Sequence, residues 1–258
     1  MGHIVSIVNQ KGGVGKTTTS LNLAAYLACM GKFVLLIDLD PQANATSGLG
    51  FNYKAIGKGT YHGLIGDHSF RDLVQSTNHE GLRLVPASEA LAGASVELVE
   101  ASEREHFLRK ALLEIRNDYD YIFIDNPPSL GLLTLNGLVA ADSVLIPVQA
   151  EYFALEGLGQ LMHTIELVKT NLQPSLDVFG AVITMYDSRT RLSKEVMEEL
   201  YRFFPDKIFR SVIPRSVRLA EAPSFGKTIR HYDPYCKAAK AYERLAKEFV
   251  LREESFIV

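Results

Sequence analysis

A glycine-rich stretch between an apolar run and a helix-forming segment restricts the fold of this chain more than any other feature. Ile4 to Val8 has the near-continuous apolar character of a buried strand, and the stretch Asn9 to Thr18, NQKGGVGKTT, follows it directly. A helical segment, Thr17 to Met30, comes next and ends before Gly31, a residue type that commonly terminates helices. In such a unit the glycines let successive backbone N–H groups face an anion, and the helix dipole adds to the attraction. The order of these parts predicts a phosphate-binding loop.

Two side chains of this loop indicate what it binds. Lys16 is spaced to place its charge on the β- and γ-phosphates of a nucleoside triphosphate, and the Thr17 hydroxyl is spaced to coordinate Mg²⁺. The backbone N–H groups of the loop are expected to surround the phosphates. The predicted nucleotide-binding residues of the loop are Lys11, Gly12, Gly13, Val14, Gly15, Lys16, Thr17 and Thr18.

The apolar pattern along the rest of the chain alternates between short β-branched runs and longer helical stretches, which is typical of strands alternating with helices. At 258 residues the chain can form one large core and leaves little room for a second. We expect a doubly wound α/β fold with a mostly parallel sheet and helices on both faces, as a single domain over residues 1–258, with loops around the site at Ala43 to Gly66. The predicted strands are Ile4 to Val8, Phe33 to Ile37, Tyr121 to Ile124, Ser143 to Val148 and Val178 to Thr184, with Leu82 to Val85 and Lys207 to Ile213 as weaker candidates; the predicted helices are Thr17 to Met30, Arg104 to Asn117, Glu156 to Lys169 and Ser193 to Phe204.

Acidic side chains follow two of the predicted strands, at the ends that face a ligand in a doubly wound sheet. Asp125 comes directly after Tyr121 to Ile124, where a carboxylate can hold Mg²⁺ through a water ligand. Asp38 and Asp40 follow Phe33 to Ile37, and alternation along an extended segment places both carboxylates on one side. We therefore expect both strand ends to line the nucleotide crevice.

Charge, hydropathy and cysteine content argue against several classes of protein. The net charge is −3, and the apolar runs stop well short of the ~18 residues that a membrane span needs. The start, Met1 to Val5, enters a strand-like run directly, which argues against a secretory or transit peptide. Cys29 and Cys236 lie far apart without C-x-x-C spacing, so neither a disulfide framework nor a thiolate metal site is indicated. We expect a cytoplasmic protein without a membrane partner.

The phosphate-binding loop departs from the common G-x-x-x-x-G-K-[ST] pattern at two positions. Gln10 stands where that pattern has glycine, and Lys11 is an additional lysine. In these respects the loop resembles that of the deviant Walker A ATPases, K-G-G-x-G-K-[ST]. The resemblance implies a nucleotide-sandwich homodimer in which Lys11 reaches the partner's phosphates, so that both Lys11 and Lys16 act in catalysis. The alternative is that Lys11 is a solvated lysine on a loop, without a role at a partner's phosphates.

The same resemblance implies roles for the acidic residues. Asp40 corresponds to the residue that orients or activates the attacking water, and Asp38 to one that lies near the magnesium shell. The metal-binding residues expected in this way are Thr17, Asp38 and Asp125, and the expected cofactors are ATP and Mg²⁺. Two acids at a strand end can instead cap a loop or a helix, and that alternative stays open at this point.

Four further segments resemble the ParA/Soj partition ATPases within this group. Asn126 stands where that family often has cysteine, and Ala43 replaces a frequent glycine. The resemblance implies a DNA-segregation ATPase whose ATP-bound dimer binds double-stranded DNA nonspecifically at the nucleoid, and whose hydrolysis, stimulated by a ParB/Spo0J-like partner, releases it. It also places Pro214 and Arg215 near the adenosine, and Arg215 stays open at this point between the base pocket and DNA. The segments are Asp38 to Gly50, Asp125 to Thr134, Thr184 to Thr190 and Ile213 to Ser224.

The charge distribution gives separate support for a nucleic-acid partner. The stretch from Tyr186 to Lys247 contains 14 Lys and Arg against eight Asp and Glu, although the whole chain is acidic. A basic third of this kind can bind the phosphate backbone without reading sequence. Lysines of the C-terminal helix are more simply explained as solvated side chains. The predicted DNA-binding residues are Arg189 and Arg218, which the resemblance supports, and Lys227 and Arg230.

Three other functions share this kind of ATP site. A MinD-like ATPase positioned at a membrane needs a terminal amphipathic helix with a basic face, whereas this chain ends with an acidic pair in Arg252 to Val258. A reductase similar to the nitrogenase iron protein needs cysteines that hold an iron–sulfur cluster, and the two cysteines do not give that pattern. A metabolic ATP-dependent ligase has no substrate residues here to support it. The MinD-like function is kept as the alternative.

Overall fold

The computed structural model describes residues 1–151 and 154–256, and they form one seven-stranded sheet in the order β3-β4-β2-β5-β1-β6-β7. All neighbouring strands are parallel except β3 and β4, which pair antiparallel. The predicted doubly wound, mostly parallel α/β fold is confirmed. The strands are β1 His3–Ile7, β2 Val34–Asp38, β3 Gln75–Ser76, β4 Leu82–Val85, β5 Tyr121–Asp125, β6 Ser143–Gln149 and β7 Asp177–Thr184.

Alternate residues of the central strands bury their side chains in two cores, one on each face of the sheet. Leu35 and Ile122 belong to one core, and their chain neighbours Leu36 and Phe123 belong to the other. Because both faces are covered by helices, the strands are apolar throughout, which is why they were predictable as continuous runs. The helices are α1 Lys16–Cys29, α2 Asn44–Gly48, α3 Thr60–Leu64, α4 Phe70–Leu73, α5 Leu91–Glu97, α6 Phe107–Leu112, α7 Leu132–Ala140, α8 Ala154–Asn171, α9 Arg191–Phe203, α10 Val217–Glu221, α11 Ile229–Tyr232 and α12 Lys237–Phe256, with 3₁₀ turns at Tyr53–Ala55, Leu98–Glu100, Arg116–Asp118 and Ala222–Phe225.

Most of the predicted elements are present with ends shifted by one or two residues. The five main strands and the weaker candidate β4 are confirmed, as are α1, α8 and α9. The segment Ala43 to Gly66, expected as loops, contains α2 and α3, and α7 was not predicted. No helix in the described ranges is long and apolar enough to cross a membrane.

The predicted helix Arg104 to Asn117 is much shorter than expected, because α6 covers only Phe107–Leu112. The side chain of Asn136 in α7 accounts for the late start. Its Oδ1 accepts the Leu108 N–H at 3.1 Å, and its Nδ2 donates to the Arg104 carbonyl at 2.8 Å. These two bonds hold the chain before α6 outside the helical geometry, and no periodicity within the segment itself signals them.

The predicted strand Lys207 to Ile213 is wrong. Within this segment Ile208 forms an isolated bridge with β7, and the backbone then turns toward α12. There the Glu248 carboxylate accepts the N–H groups of Arg210 at 2.7 Å and of Ser211 at 2.8 Å. A side chain thus takes the backbone donors that a continuous strand would give to its neighbour.

Replacing Glu248 tests this explanation. We expect Glu248→Ala to lower the free energy of unfolding by about 2 kcal/mol, because two backbone donors lose a charged acceptor. Glu243→Ala is the matched control on the same helix, since Glu243 pairs with the exposed Lys247, and it should change stability by no more than about 0.5 kcal/mol. Urea unfolding followed by circular dichroism measures both. Equal losses for the two variants would contradict the role given to Glu248.

Candidate nucleotide-binding site

The predicted phosphate-binding loop lies between β1 and α1, at the edge where the parallel strands have their carboxyl ends. Gly13 and Gly15 have φ values of 75° and 89°, in the left-handed region where glycine is favoured. α1 begins without a side-chain cap, so its first N–H groups are free to bind an anion. The loop is fixed from behind, because the Thr184 hydroxyl donates to the Val14 carbonyl at 2.7 Å. These features describe a preformed phosphate site.

A cleft of about 480 Å³ opens in front of this loop. It contains Lys16, Thr17, Thr18 and Asp40 together with three loop glycines, as predicted, whereas Val14 is buried behind the loop. The cleft is also lined by residues that were not predicted as site residues. Apart from Leu21, all of these lie in the four segments quoted above for their family resemblance, which was the available signal: Leu21, Asn44, Ser47, Gly48, Pro128, Met185, Pro223 and Ser224.

Lys16 is almost completely buried at the base of the cleft. Its Nζ donates to the Lys11 carbonyl at 3.1 Å. Burial lowers the pKa of Lys16, and the nearby carboxylates of Asp125 and Asp40 oppose that change. A bound triphosphate would add negative charge at this place, which favours the charged lysine further.

Asp125 ends β5 and is fully buried beside the loop. Its Oδ1 accepts the Ser20 hydroxyl at 2.7 Å, and its Oδ2 has no hydrogen-bond partner among the described residues. Burial raises the pKa of Asp125 to about 6, although the Ser20 and Thr17 hydroxyls act against this rise. A buried carboxylate oxygen without a donor, close to Lys16 and Thr17, fits a Mg²⁺ ion with its water ligands.

Asp38 lies next to Asp125 in the sheet, in register on the neighbouring strand, but its contacts differ. Its Oδ2 accepts both the N–H and the hydroxyl of Thr46, each at 2.7 Å, and its Oδ1 accepts the Asp40 N–H at 3.2 Å. Burial, followed by the charge of Asp125, raises the pKa of Asp38 to about 7. In this structure Asp38 anchors α2 and the Asp40 backbone, so its place near the magnesium shell stays a prediction.

Asp40 lies at the surface of the cleft, whereas Asp38 is fully buried beneath it. The Asp40 Oδ1 accepts the Gln42 N–H at 2.9 Å, which fixes the turn that leads into α2. Ala43, the last residue before α2, has a φ of 51°, in the region that favours glycine. This explains why glycine is frequent at that position in the family that the sequence resembles.

Lys11 points away from the chain's own phosphate site. Its Nζ forms a salt bridge with the Glu151 carboxylate at 2.5 Å, and both side chains remain about 40% exposed. The neighbouring Gln10 donates to the Gly157 carbonyl at 3.0 Å, which ties the loop to α8. The role of Lys11 at a partner's phosphates therefore requires that this side chain leave Glu151.

A smaller pocket of about 190 Å³ adjoins the cleft through Gly15, Thr18 and Met185. It includes the predicted residues Pro214 and Arg215, and its mixed apolar and polar lining suits a nucleoside. Tyr242 of α12 also lines it, which the sequence did not indicate. The hydroxyls of Tyr242 and Thr19 lie 3.2 Å apart, and burial raises the pKa of Tyr242.

The four predicted DNA-binding residues lie in different surroundings. Arg189 is 86% exposed but forms two bonds with Asp187, at 2.7 and 2.9 Å. Arg218 pairs with Glu221 at 3.2 Å and with Asp233 at 3.6 Å, and Lys227 is exposed. Arg230 is half-buried and lines a different cavity, near the amino ends of β2 and β4. Their role in DNA binding stays a prediction.

Comparison with known proteins agrees with this geometry. A family profile described as an AAA domain matches residues 2–178. The chain is 53% identical over 248 residues to the sporulation initiation inhibitor protein Soj of Bacillus subtilis, which covers 96% of this chain and 98% of that protein. It is 50% identical over 253 residues to the chromosome-partitioning ATPase Soj of Treponema pallidum, with 98% and 99% covered. A structure of cobyrinic acid a,c-diamide synthase from Mycobacterium smegmatis with bound ADP and magnesium superposes with a TM-score of 0.87 at 36% identity, over 99% of this chain and 96% of that one.

The buried carboxylate of Asp125 predicts a pH-dependent stability of the metal-free, nucleotide-free protein. Its folded-state pKa of about 6 lies above the ordinary value of 3.8, so the folded state holds a proton that the unfolded chain has released, and this contribution falls as the pH rises from about 4 to about 6. Asp125→Asn cannot ionise. Its free energy of unfolding relative to the parent should therefore increase between pH 4 and pH 7.5, by about 3 kcal/mol. Urea unfolding in EDTA measures this difference, and a difference that does not change with pH would contradict the electrostatic account.

Proposed function

The chain belongs to the Soj/ParA family of chromosome-partitioning ATPases, and we propose that it hydrolyses ATP with Mg²⁺ in order to partition chromosomal or plasmid DNA in the cytoplasm. The observation that carries this proposal is a cleft beside a preformed phosphate loop that Lys16, Thr17 and Asp40 line, with the buried carboxylate of Asp125 close to Lys16 and Thr17. The fold neighbour from Mycobacterium smegmatis holds ADP and magnesium, which supports the same ligands here.

Each of these residues has a distinct part in the proposed hydrolysis. The N–H groups of the loop and Lys16 bind the phosphates, and Thr17 and Asp125 would hold Mg²⁺, which neutralises charge on the β- and γ-phosphates when bound. Asp40 faces the same cleft from the neighbouring strand end, where its carboxylate can orient a water molecule toward the terminal phosphate. The adjoining pocket at Pro214 would receive the adenosine.

Removing the Asp40 carboxylate separates nucleotide binding from hydrolysis. We expect Asp40→Ala to bind ATP with nearly the affinity of the parent, because Lys16 and the loop are intact, and to hydrolyse it at least about 100-fold more slowly. Single-turnover hydrolysis and fluorescent-nucleotide titration measure the two properties. An unchanged single-turnover rate would remove Asp40 from the chemistry, whereas loss of ATP binding would show that its role is structural.

We further propose that ATP joins two chains in a sandwich homodimer, with Lys11 of each chain on the partner's phosphates. Two observations support this arrangement. Lys11 contacts Glu151 on the surface and not the phosphate site of its own chain. A Cβ built on Gly12 would have ordinary contact with Pro128 at 3.8 Å, so the single chain does not itself require glycine there. A partner chain that packs closely against Gly12 would require glycine at this position.

The Lys11–Glu151 pair predicts opposite effects of substitution at its two ends. Glu151→Gln keeps the side-chain shape but removes the charge that holds Lys11, so the ATP-bound dimer should form at a lower protein concentration than in the parent. Lys11→Ala should not form the dimer, and Gly12→Val should bind ATP yet stay monomeric. Light scattering over a dilution series with a nonhydrolysable ATP analogue measures this. A normal dimer for both Lys11→Ala and Gly12→Val would exclude the sandwich arrangement.

The proposed cargo is double-stranded DNA, bound by the ATP dimer without sequence preference and released when a ParB-like protein stimulates hydrolysis. The excess of Lys and Arg between Tyr186 and Lys247 supports this, together with the exposure of Arg189, Arg218 and Lys227. Because two of these arginines already pair with acids, one chain alone offers few free charges for phosphates. Dimerisation doubles the number of contacts, so affinity should depend on the nucleotide.

The alternative, a MinD-like ATPase positioned at a membrane, gains less support from the structure. The C-terminal helix α12 is held at its end, because Glu253 accepts hydrogen bonds from His3 and Tyr121 in β1 and β5. The following Glu254 is exposed and acidic, which opposes binding to anionic lipid. Residues 257–258, the last of the acidic terminal segment, lie outside the described residues. Co-sedimentation with anionic vesicles in ATP separates the two functions.

A further inference from the structure

An aromatic side chain is exposed beside the predicted DNA-binding residues. Phe225 ends the 3₁₀ turn Ala222–Phe225 and leaves 62% of its surface exposed. Its ring rests against Tyr232, with the ring centres 5.2 Å apart and the planes inclined by 31°. A single exposed apolar side chain is common on protein surfaces, so the residues around the ring decide what it can bind.

Positive charges flank this ring. The Tyr232 hydroxyl donates to Glu221 at 3.0 Å, and the same Glu221 oxygen pairs with the Arg218 guanidinium at 3.2 Å. Arg218 is therefore linked to Phe225 through two side chains. Lys227, two residues after Phe225, is exposed and has no salt bridge among the described residues. Arg218 also pairs with Asp233 at 3.6 Å, so a phosphate would have to replace carboxylates at Arg218, whereas Lys227 can bind one directly. An aromatic ring close in the chain to these two cations suits a nucleic acid, whose phosphates flank its sugars and bases.

The same turn also forms part of the nucleotide cleft. Pro223 and Ser224, directly before Phe225, line the cleft. Directly after it, Gly226 lies so close to Gly50 beyond α2 that a Cβ at 226 would be 2.5 Å from the Gly50 Cα. The backbone at Phe225 is therefore fixed by the cleft on one side and by the segment after α2 on the other. The Phe225 ring is exposed beside them.

We propose that Phe225 is a DNA-contacting residue, which packs against deoxyribose and base edges of double-stranded DNA while Arg218 and Lys227 hold the adjacent phosphates. This inference rests on the proposed DNA-binding function and names a contact that charge alone does not supply. Proteins that bind DNA without reading sequence often place apolar side chains in its grooves between phosphate contacts. A second copy of this chain fits less well, because a two-fold contact would bring Arg218 and Lys227 against their own copies.

The two kinds of contact differ in their response to salt. Each phosphate contact releases counterions, so its loss makes the dependence of log affinity on log salt less steep by roughly 0.9. An apolar contact with sugars and bases releases no counterions. Loss of Phe225 should therefore weaken binding by a similar factor at every salt concentration, whereas loss of Lys227 should change the slope.

The experiment compares Phe225→Ala with two controls on full-length protein. Leu113→Ala removes an apolar side chain that is 63% exposed, nearly as in Phe225, but lies directly after α6, outside the basic stretch from Tyr186 to Lys247. Lys227→Ala removes a charge and leaves the ring. Fluorescence anisotropy with a labelled random-sequence duplex, a nonhydrolysable ATP analogue and four salt concentrations gives affinity and slope. Phe225→Ala should bind about tenfold more weakly at each concentration with the slope of the parent. Leu113→Ala should bind as the parent does, and Lys227→Ala should make the salt dependence less steep.

Light scattering of each variant with the ATP analogue completes the test. Parental affinity for Phe225→Ala while the parent binds DNA overturns the proposed contact and leaves the DNA-binding function in place. Loss of the ATP-dependent dimer in Phe225→Ala also overturns it, because the ring would then belong to the subunit interface. A parent protein that binds no duplex overturns the DNA-binding function and the contact together. Equal losses of affinity for Phe225→Ala and Leu113→Ala would show that any exposed apolar side chain has this effect, and would reject the assignment.

Discussion

Two carboxylates lie buried side by side at the ends of neighbouring parallel strands, and the arrangement of the site depends on the groups that surround them. Asp38 and Asp125 are fully buried and in register on β2 and β5, and burial raises the pKa of each, to about 7 and about 6. Such a pair opposes folding at neutral pH unless donors and cations surround it. The structure supplies Thr46 for one carboxylate and Ser20 and Lys16 for the other. The Oδ2 of Asp125 is one of three buried side-chain atoms without a hydrogen-bond partner among the described residues, and bound Mg²⁺ would remove part of that penalty.

Asp38 and Asp125 also have different roles in the site. Asp125 keeps an oxygen available, whereas Asp38 uses its oxygens to hold Thr46 and the Asp40 backbone. The Thr46 hydroxyl oxygen in turn accepts the Ala87 N–H, so the residues directly after β4 belong to the same hydrogen-bond network. α2 is thereby tied to two strand ends, and its residues Asn44, Ser47 and Gly48 are held against the cleft. Hydrolysis of the terminal phosphate would change the contacts of Asp40 and α2, which line the cleft. Gly50, just after α2, lies against Gly226, so α2 connects the cleft with the turn that carries Phe225.

Local patterns in the sequence predicted the parts of this protein that depend on local chemistry. The phosphate loop, the central strands and the position of Asp125 follow from glycine placement and apolar runs, and each is present. Two of the failures have a polar side chain from a distant segment as their cause: Asn136 delays the start of α6, and Glu248 prevents a strand after Lys207. The pairing of Lys11 with Glu151 and the position of Tyr242 under the nucleoside pocket depend on contacts across 140 and more than 200 residues, which no spacing rule contains. The roles of the charged surface residues stay predictions, because exposed arginines paired with acids give no local signal of a ligand.

We propose a coupling in which the nucleotide bound in the cleft controls the affinity for DNA at the surface. It acts through a dimer that doubles the phosphate contacts, and through the turn that carries Pro223, Ser224 and Phe225. Its most direct test is the affinity of the parent protein for a random-sequence duplex, measured over a salt series with a nonhydrolysable ATP analogue and again with ADP. The account predicts much tighter binding and a steeper salt dependence with the ATP analogue, with little effect of DNA sequence. Equal affinity and equal slope in the two nucleotide states would contradict it.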